Sequence, residues 1–188
     1  MKPSKNQSSA SIGTKPSSIA SLRKRAREDI ESGAVTSSYK ADRKAVINML
    51  NDALATELVC MLRYTRHYFM ANGIHSESVK AEFLAHASEE LAHAHLIAKR
   101  IVVLGGEPNF SPDGLSARSH AEYVEGDTLI SMIKENLIAE RIAIDSYRAT
   151  IAKLGAADST TRRMLEEILA TEEEHADDLA GLLGGIKN

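Results

Sequence analysis

Apolar residues recur at intervals of three and four along four long stretches of this chain, which is the period of an amphipathic helix. In the first stretch, Val46, Met49, Leu50, Ala53 and Leu54 show this spacing. The stretches predict four helices, bounded by helix caps and glycine stops. The first two run over about 40–71 and 76–104, the third runs from a cap at Asp127 to Gly155, and the fourth begins near Asp158 and fades at Gly181 and Gly184-Gly185.

The links between the predicted helices differ in length. The first and third links are a few residues long, so each joins two antiparallel neighbours. The second link covers about 105–126 and contains Pro108, Pro112 and Gly114. Such a segment can reach roughly 66 Å, which exceeds the roughly 45 Å length of a 30-residue helix. The pattern therefore predicts an all-α four-helix bundle with one long crossover between helices two and three.

The start of the chain has a different composition. The first 27 residues contain seven basic side chains and no acidic one, although the whole chain has a net charge of −3. We assign 1–38 to a basic, Ser-rich extension with a short helix over 19–31, and 39–188 to the bundle. A disordered basic tail can bind DNA phosphates. It can equally act as a solubilising tail, or as an organelle transit peptide, since such segments are Ser- and Arg-rich and poor in acidic residues.

The remaining composition narrows the cellular context. Cys60 is the single cysteine, so an intrachain disulfide framework is excluded and a reducing cytoplasm is favoured. The sequence shows no uncharged apolar run of 18 residues and no apolar secretory segment near its start. We therefore expect a cytoplasmic protein without a membrane span. Cys60 itself is expected to be a small buried hydrophobic residue.

One carboxylate–histidine pattern occurs twice. Glu57 is followed by Glu90 and His93, and Glu140 is followed at nearly the same spacing by Glu172 and His175. In Glu-x-x-His the two side chains lie on one face of a helix, one turn apart, so both can reach one metal ion. Four helices would together supply six ligands: Glu57, Glu90, His93, Glu140, Glu172 and His175.

The charge of these residues favours two divalent metal ions. A single Glu-x-x-His is common on solvated helix faces, but two copies, each preceded by a glutamate one hairpin upstream, are not. Glu57 and Glu140 both lie within apolar stripes, and burying an unpaired carboxylate costs several kcal/mol. Two divalent ions would neutralise four carboxylates, and mixed carboxylate and imidazole ligands suit iron or manganese. The ligand set is the one known from ferritin-like di-iron bundles.

The same residues carry a resemblance to bacterioferritin, over about 40–182. The matching motifs are Thr-Glu57-Leu-Val, Glu90-Leu-Ala-His93, Leu-Gly-Gly-Glu-Pro-Asn (104–109), Glu140 and Ile-Leu-Ala-Thr-Glu172-Glu-Glu-His175. The resemblance implies a ferritin-like fold that oxidises and stores iron in a hollow homo-oligomer, with two iron ions per subunit. It makes Glu57 and Glu140 terminal ligands, Glu90 and Glu172 bridging ligands, and His93 and His175 ligands of one ion each. Tyr64 matches a family tyrosine beside the centre that can donate an electron, or it is a core tyrosine.

Two departures from bacterioferritin are informative. Leu91 stands where that family has the methionine that binds haem, so no haem is expected. Only 13 residues follow His175, which leaves no room for the short fifth helix of the 24-subunit shell. The chain therefore also resembles the Dps-like proteins, cages of twelve subunits, and a 12-mer is favoured over a 24-mer.

Three functions remain open at this stage. The favoured function is a ferroxidase that oxidises Fe²⁺ with O₂ or H₂O₂ and stores the iron in a cage. A Dps-like protein would also bind DNA non-specifically and protect against oxidative stress. A di-iron or di-manganese enzyme that consumes peroxide is the third, although rubrerythrins, its nearest case, need a Cys-x-x-Cys module that one cysteine cannot form. His86 is a candidate outer-shell or iron-access residue, whereas Glu89 is expected on a solvated face.

Overall fold

The computed structural model describes residues 18–187, and their side chains as far as residue 186. It divides into two compact units, one that ends at Ser37 and one that begins at Ser38. The described part of the first unit holds one short α-helix and a 3₁₀ turn, Ile30–Ser32. The α-helices are α1 (Ile19–Arg25), α2 (Arg43–Met70), α3 (Ser76–Val103), α4 (Leu115–Arg118), α5 (Leu129–Leu154) and α6 (Ser159–Lys187). The predicted all-α class is confirmed. The division into an extension over 1–38 and a bundle over 39–188 stays a prediction, since 1–17 lie outside the described residues.

Side-chain caps define where the bundle helices begin. The Asp42 side chain accepts a hydrogen bond from the backbone of Ala45 and starts α2. Thr128 starts α5 through a capping box with Ser131, in which each side chain bonds the backbone of the other residue. The predicted cap at Asp127 is therefore one residue too early. Thr128 is the cap because its hydroxyl and that of Ser131 together accept hydrogen bonds from three backbone N–H groups, those of Asp127, Thr128 and Ser131.

Two helices differ in length from the prediction. The basic helix α1 ends at Arg25, not near residue 31, and none of its residues is buried. α6 runs through Gly181, Gly184 and Gly185, where the sequence predicts fraying. Its end is held by tertiary packing, because Leu182, Leu183 and Ile186 pack against a buried cluster that includes Tyr64, Phe83 and Leu179. Burial of these side chains outweighs the roughly 1 kcal/mol that each glycine costs in a helix.

Side-chain contacts give the order and direction of the four long helices. α2 pairs with α3, and α5 pairs with α6. The two pairs meet across the bundle, where Tyr64 contacts Glu140 while Glu57 contacts Tyr147, so α2 and α5 are antiparallel. The crossover runs along α2, from a contact of Asn51 with Glu107 to one of His67 with Glu125. The predicted crossover bundle is therefore the observed one.

Helix α2 contains a long apolar window. By length and mean hydropathy alone, 1.4 over its most apolar window, it is the one described helix that would suffice for a membrane span. However, 56% of that window is buried against the rest of the protein, and α2 contributes Leu50, Leu54 and Val59 to the core. Its hydropathy is accounted for by its position inside the bundle.

Candidate metal centre

The six residues of the duplicated pattern come together in the middle of the bundle. Each long helix contributes at least one: Glu57 on α2, Glu90 and His93 on α3, Glu140 on α5, and Glu172 and His175 on α6. None is more than 6% exposed. The hairpin pairing explains the convergence, because α2 with α3 and α5 with α6 place each first glutamate at the level of the Glu-x-x-His motif on the partner helix.

Donor atoms of these residues form two groups that overlap. Glu57, Glu90, His93 and Glu172 make one group, and Glu90, Glu140, Glu172 and His175 make the other, with the atoms of each group within 4.8 Å of one another. Glu90 and Glu172 belong to both groups. The geometry therefore offers two adjacent metal positions, each with one histidine and one carboxylate of its own and two carboxylates in common.

Both histidines turn Nδ1 towards the carboxylates. Nδ1 of His93 lies 3.0 Å from Glu172 Oε1 and 3.2 Å from Glu57 Oε2. Nδ1 of His175 lies 3.7 Å from Glu172 Oε2 and 3.9 Å from Glu90 Oε1. Distances of this size are those between ligands that face a common position, and they place both Nδ1 atoms where a metal ligand must be.

The pKa values of Glu90, Glu140 and His93 are all raised, by burial and by the charges of neighbouring carboxylates. Burial, reinforced by the nearby carboxylate of Glu172, raises the pKa of both Glu90 and Glu140 well above the usual range. Burial alone would lower the pKa of His93, but the carboxylates of Glu172 and Glu57 outweigh it and raise that pKa to about 10. The centre thus compensates its carboxylates with protons, which are the positive charges that metal ions would replace.

Several buried polar atoms in the centre form no hydrogen bond. In the described part of the chain, six buried side-chain nitrogen or oxygen atoms lack a hydrogen bond, and five of them belong to the ligand residues: Glu90 Oε1, Glu140 Oε2, Glu172 Oε1, Glu172 Oε2 and His175 Nδ1. Buried polar groups are nearly always satisfied, because an unsatisfied one costs about 1–3 kcal/mol. Lone pairs that lack a donor and converge on one place fit two cations.

Two tyrosines form reciprocal hydrogen bonds with Glu57 and Glu140, the glutamates that belong to one donor group each. Tyr64 of α2 donates a hydrogen bond to Glu140 of α5, and Tyr147 of α5 donates one to Glu57 of α2. Burial, followed by the nearby glutamates, raises the pKa of both phenols well above the usual range, so both keep their protons. Tyr147 was not predicted from the sequence. The signal was present, since each tyrosine follows its own helix's glutamate by seven residues, two helical turns.

Histidine 175 is oriented from outside the centre by Glu89. Its Nε2 lies 2.6 Å from Glu89 Oε2, so an Nε2–H group donates to Glu89 and leaves Nδ1 free to bind metal. Glu89, expected on a solvated face, is half-exposed but has this orienting contact. His86 stacks on the His175 ring at 3.9 Å and is buried. Burial, followed by the charge of His175, lowers the pKa of His86 to about 3.

A buried arginine, Arg63, follows Glu57 by six residues on α2. Arg63 is 1% exposed, and it binds Asn136 on α5 and the backbone oxygen of Glu122 on the crossover. Cys60 is buried as expected, 3.6 Å from the Arg63 guanidinium, and burial raises the pKa of its thiol. Arg63 therefore anchors the crossover beside the centre.

Leu91, at the position considered for haem, is 38% exposed.

Comparison with known proteins places these features in a family. Residues 47–188 match the family described as Ferritin, the ferritin-like domain. The chain is 30% identical over 135 residues to bacterioferritin from Mycobacterium avium, which covers 71% of this chain and 80% of that protein. It is 33% identical over 138 residues to a nutrient stress-induced DNA-binding protein from Nostoc sp., covering 71% of this chain and 74% of the relative.

Solved structures show the same architecture. A dodecameric thioferritin, the bacterioferritin-related protein from Bacteroides fragilis, superposes with a TM-score of 0.76 at 34% identity, over 79% of this chain and 89% of that one. A Dps protein from Thermosynechococcus elongatus superposes with a TM-score of 0.72 at 21% identity, over 74% and 90%. The second similarity concerns the fold alone.

Proposed function

The chain belongs to the ferritin-like domain family, and on that premise we propose that it is a ferroxidase that oxidises Fe²⁺ at a dinuclear site within each subunit and stores the iron in a homo-oligomeric cage. The observation that carries the proposal is the convergence of four buried carboxylates and two inward-facing imidazoles, with five donor atoms that lack hydrogen-bond partners. Its relatives named bacterioferritin support the storage role.

The proposed roles follow from the two overlapping groups of donors. Glu57 and His93 bind one iron as terminal ligands, Glu140 and His175 bind the other, and Glu90 and Glu172 bridge both. Two Fe²⁺ ions are the substrate and each gives up one electron. Two electrons and two protons convert H₂O₂ to two molecules of water, or O₂ to H₂O₂. Four carboxylates match the charge of two Fe²⁺ ions, and the bound cations replace the protons that otherwise compensate the buried glutamates.

The residues around the ligands keep this geometry in place. Hydrogen bonds from Tyr64 and Tyr147 fix the outer oxygens of Glu140 and Glu57, and Glu89 fixes the ring of His175. These contacts hold the ligands before metal arrives, which reduces reorganisation on binding. Where only one Fe²⁺ is bound, Tyr64 is proposed to supply the second electron to the oxidant, with its phenolic proton passing along the hydrogen bond to Glu140. The neighbouring Ile144 and Ile168 are buried and help to exclude water.

Removal of the two terminal glutamates tests the site. The variant Glu57→Ala with Glu140→Ala leaves each metal position with one ligand fewer, and we expect rapid Fe²⁺ oxidation, followed by stopped-flow absorbance, to be abolished. A control variant, Asp145→Ala with Glu174→Ala, removes two exposed carboxylates from α5 and α6 and should oxidise iron at the wild-type rate. Undiminished oxidation by the Glu57/Glu140 variant would refute the assignment of the site.

The proposed oligomer has support from the surface of α2 and α3. These helices expose large apolar side chains: Leu62 at 45%, Phe69 at 75%, Leu84 at 46% and Leu91 at 38%. Apolar residues at that density mark association surfaces, and the related thioferritin is described as dodecameric. We propose a 12-mer of the 20.4 kDa subunit in the cytoplasm. Native mass spectrometry with iron analysis would measure both the subunit number and the stored metal, and a monomer would refute the cage.

DNA binding is a second candidate function. Helix α1 contains Arg23, Lys24 and Arg25 in its last turn, and the related Nostoc protein is described as DNA-binding. The basic tail also contains Arg27 and three lysines, and those lysines, Lys2, Lys5 and Lys15, lie outside the described residues. Such a contact is electrostatic, and a cage would multiply it through many tails. The test is a gel shift at two salt concentrations, and equal DNA binding by full-length and tail-deleted cages would exclude the tail.

A peroxide-consuming di-iron or di-manganese enzyme is the remaining alternative. The donor set suits manganese as well as iron, so the ligands alone do not separate the two. Purified particles that contain an iron core favour storage. Particles that hold only two metal ions per subunit and turn over H₂O₂ repeatedly, with an added reductant, favour the enzyme.

A further inference from the structure

A second polar cluster lies between the dinuclear centre and the surface, on the side of His175. It consists of Glu82 and His86 on α3 and Asp178 on α6, whose potential ligand atoms lie within 4.8 Å of one another. The Nε2 atom of His86 is 3.4 Å from Glu82 Oε1 and 3.9 Å from Asp178 Oδ2. The two carboxylate side chains are 36% and 47% exposed, whereas His86 is 2% exposed. The cluster therefore has a buried floor and an open, acidic rim.

The hydrogen bonds of His86 determine which of its nitrogens can bind a cation. Its Nδ1 lies 3.2 Å from the hydroxyl oxygen of Tyr64. That hydroxyl has one proton, which it donates to Glu140 when Glu140 is an ionised metal ligand. The Tyr64 oxygen must then accept from His86, so the imidazole proton is on Nδ1. With Nδ1 directed at Tyr64, Nε2 is the ring nitrogen that faces the carboxylates of Glu82 and Asp178.

The internal repeat of the chain shows that this cluster is not required by the dinuclear centre. The motifs Glu90-x-x-His93 and Glu172-x-x-His175 place corresponding residues on α3 and α6 at equal distances from the two motifs. The counterpart of His86 is Ile168, that of Asp178 is Leu96, and that of Glu82 is Met164. One end of the centre thus has three groups able to bind metal where the other has three apolar side chains. The fold and the dinuclear centre are therefore compatible with polar or apolar residues at these positions. The presence of Glu82, His86 and Asp178 needs a separate explanation.

We propose that Glu82, His86 and Asp178 form a third, mononuclear site for a divalent cation, from which Fe²⁺ passes to the dinuclear centre beside His175. Two carboxylates and a neutral imidazole balance a charge of +2, and mixed oxygen and nitrogen ligands suit Fe²⁺, Mn²⁺ or Zn²⁺. Ligands about 2.1 Å from one ion lie about 3.0–3.4 Å apart, close to the spacing found here. The transfer step rests on the proposed function, whereas the site itself does not.

Binding of Zn²⁺ tests the site without any redox chemistry. Equilibrium dialysis of the intact, metal-free oligomer should give three Zn²⁺ ions per subunit for the wild type. Glu82→Gln with Asp178→Asn should give two, and Glu57→Gln with Glu140→Gln should retain the outer ion. Two ions bound by the wild type, or three by the Glu82/Asp178 variant, overturn the proposal. One ion bound by the wild type and none by the Glu82/Asp178 variant would support the outer site and refute the dinuclear centre.

A charge-matched control separates the site from general acidity. The variant Glu77→Gln with Asp177→Asn removes two exposed carboxylates from the same two helices and should still bind three ions. The transfer step is tested with Co²⁺, whose visible absorption reports filling of the dinuclear centre. Filling should be several-fold slower in the Glu82/Asp178 variant than in the wild type and the control. Loss of the third ion with unchanged filling would refute the transfer step.

Discussion

Asp158 holds together three parts of the bundle at one end, and its replacement by alanine should destabilise the protein strongly. The residue precedes α6, and its carboxylate accepts hydrogen bonds from the backbone and side chain of Thr161 at 2.9 and 2.6 Å. It also binds Arg100 of α3 at 2.9 and 3.0 Å and the hydroxyl of Tyr39 at 2.8 Å. The Asp158 side chain is 2% exposed and that of Arg100 is 13% exposed.

The magnitude can be estimated from these contacts. Loss of the N-cap costs about 1 kcal/mol. Breaking a buried ion pair by removing one partner costs about 3–5 kcal/mol, and the lower end applies because Arg100 retains some access to water. The free energy of unfolding should therefore fall by about 4 kcal/mol in Asp158→Ala. For a domain of this size that loss lowers the melting temperature by about 8–16 °C.

Thermal unfolding followed by circular dichroism, on oligomers of equal size, measures this change. Asp158→Asn separates the two contributions, because asparagine caps a helix about as well as aspartate but has no charge for Arg100. Asp145→Ala is the control, since its carboxylate is 83% exposed and should contribute no more than about 0.5 kcal/mol. A change in Asp158→Ala as small as that of the control would refute the reasoning.

The pH dependence adds an independent test. Burial alone would raise the pKa of Asp158, but hydrogen bonds from Thr161, Tyr39 and Arg100 outweigh it and lower that pKa. A carboxylate with a lowered folded-state pKa stabilises the fold at every pH above its unfolded value of about 3.9. The difference between wild type and Asp158→Ala should be constant from pH 7 to pH 5 and should shrink below pH 4. A difference that grows on acidification would contradict this sign.

Two further predictions concern the centre and the crossover. Tyr147→Phe removes the hydrogen bond to a terminal glutamate, so dialysis should show weaker Zn²⁺ binding at the dinuclear centre without loss of the fold by circular dichroism; unchanged affinity would exclude an orienting role. Gly126 has φ +64°, and an added Cβ would lie 2.9 Å from the Met132 side chain and 3.1 Å from its backbone nitrogen. Gly126→Ala should cost about 2 kcal/mol in thermal unfolding. This loss of stability should exceed that of Gly155→Ala, where φ is also positive but an added Cβ has nothing within 4 Å. Equal losses of stability in the two variants would show that the close contact with Met132 is relieved.

Local sequence signals were sufficient for much of the bundle. Helical period, caps and glycine stops predicted four long helices and the crossover, because these features depend on residues close together in the chain. The predicted end of α6 was wrong because it depends on residues far apart in the chain. Gly181, Gly184 and Gly185 favour termination locally, but Leu182 and Leu183 pack on residues more than a hundred positions away, such as Tyr64.

The candidate centre divides in the same way. Its six candidate ligand residues were predicted because their spacing repeats, and two copies are easily recognised. Tyr147 and the contact of Glu89 with His175 were missed because a hydrogen bond between helices has no fixed separation in sequence. Glu89 contacts His175 across 86 residues, and Tyr147 contacts Glu57 across 90. Only the packing of α2 against α5 and of α3 against α6 reveals those partners.

The reciprocal tyrosine–glutamate pairs make the two halves of the centre nearly equivalent. Each metal position has the same kinds of donor, three carboxylates and one imidazole, and each has a tyrosine hydrogen-bonded to the carboxylate that it does not share. Any difference between the two ions must then arise beyond the ligands, where His86 faces the His175 position and Ile168 corresponds to it at the other. Identical coordination in unlike electrostatic surroundings should give the ions unequal affinities and separate redox potentials. A protein loaded with one metal ion per subunit would then hold that ion at the same position in every subunit, and not at either position at random.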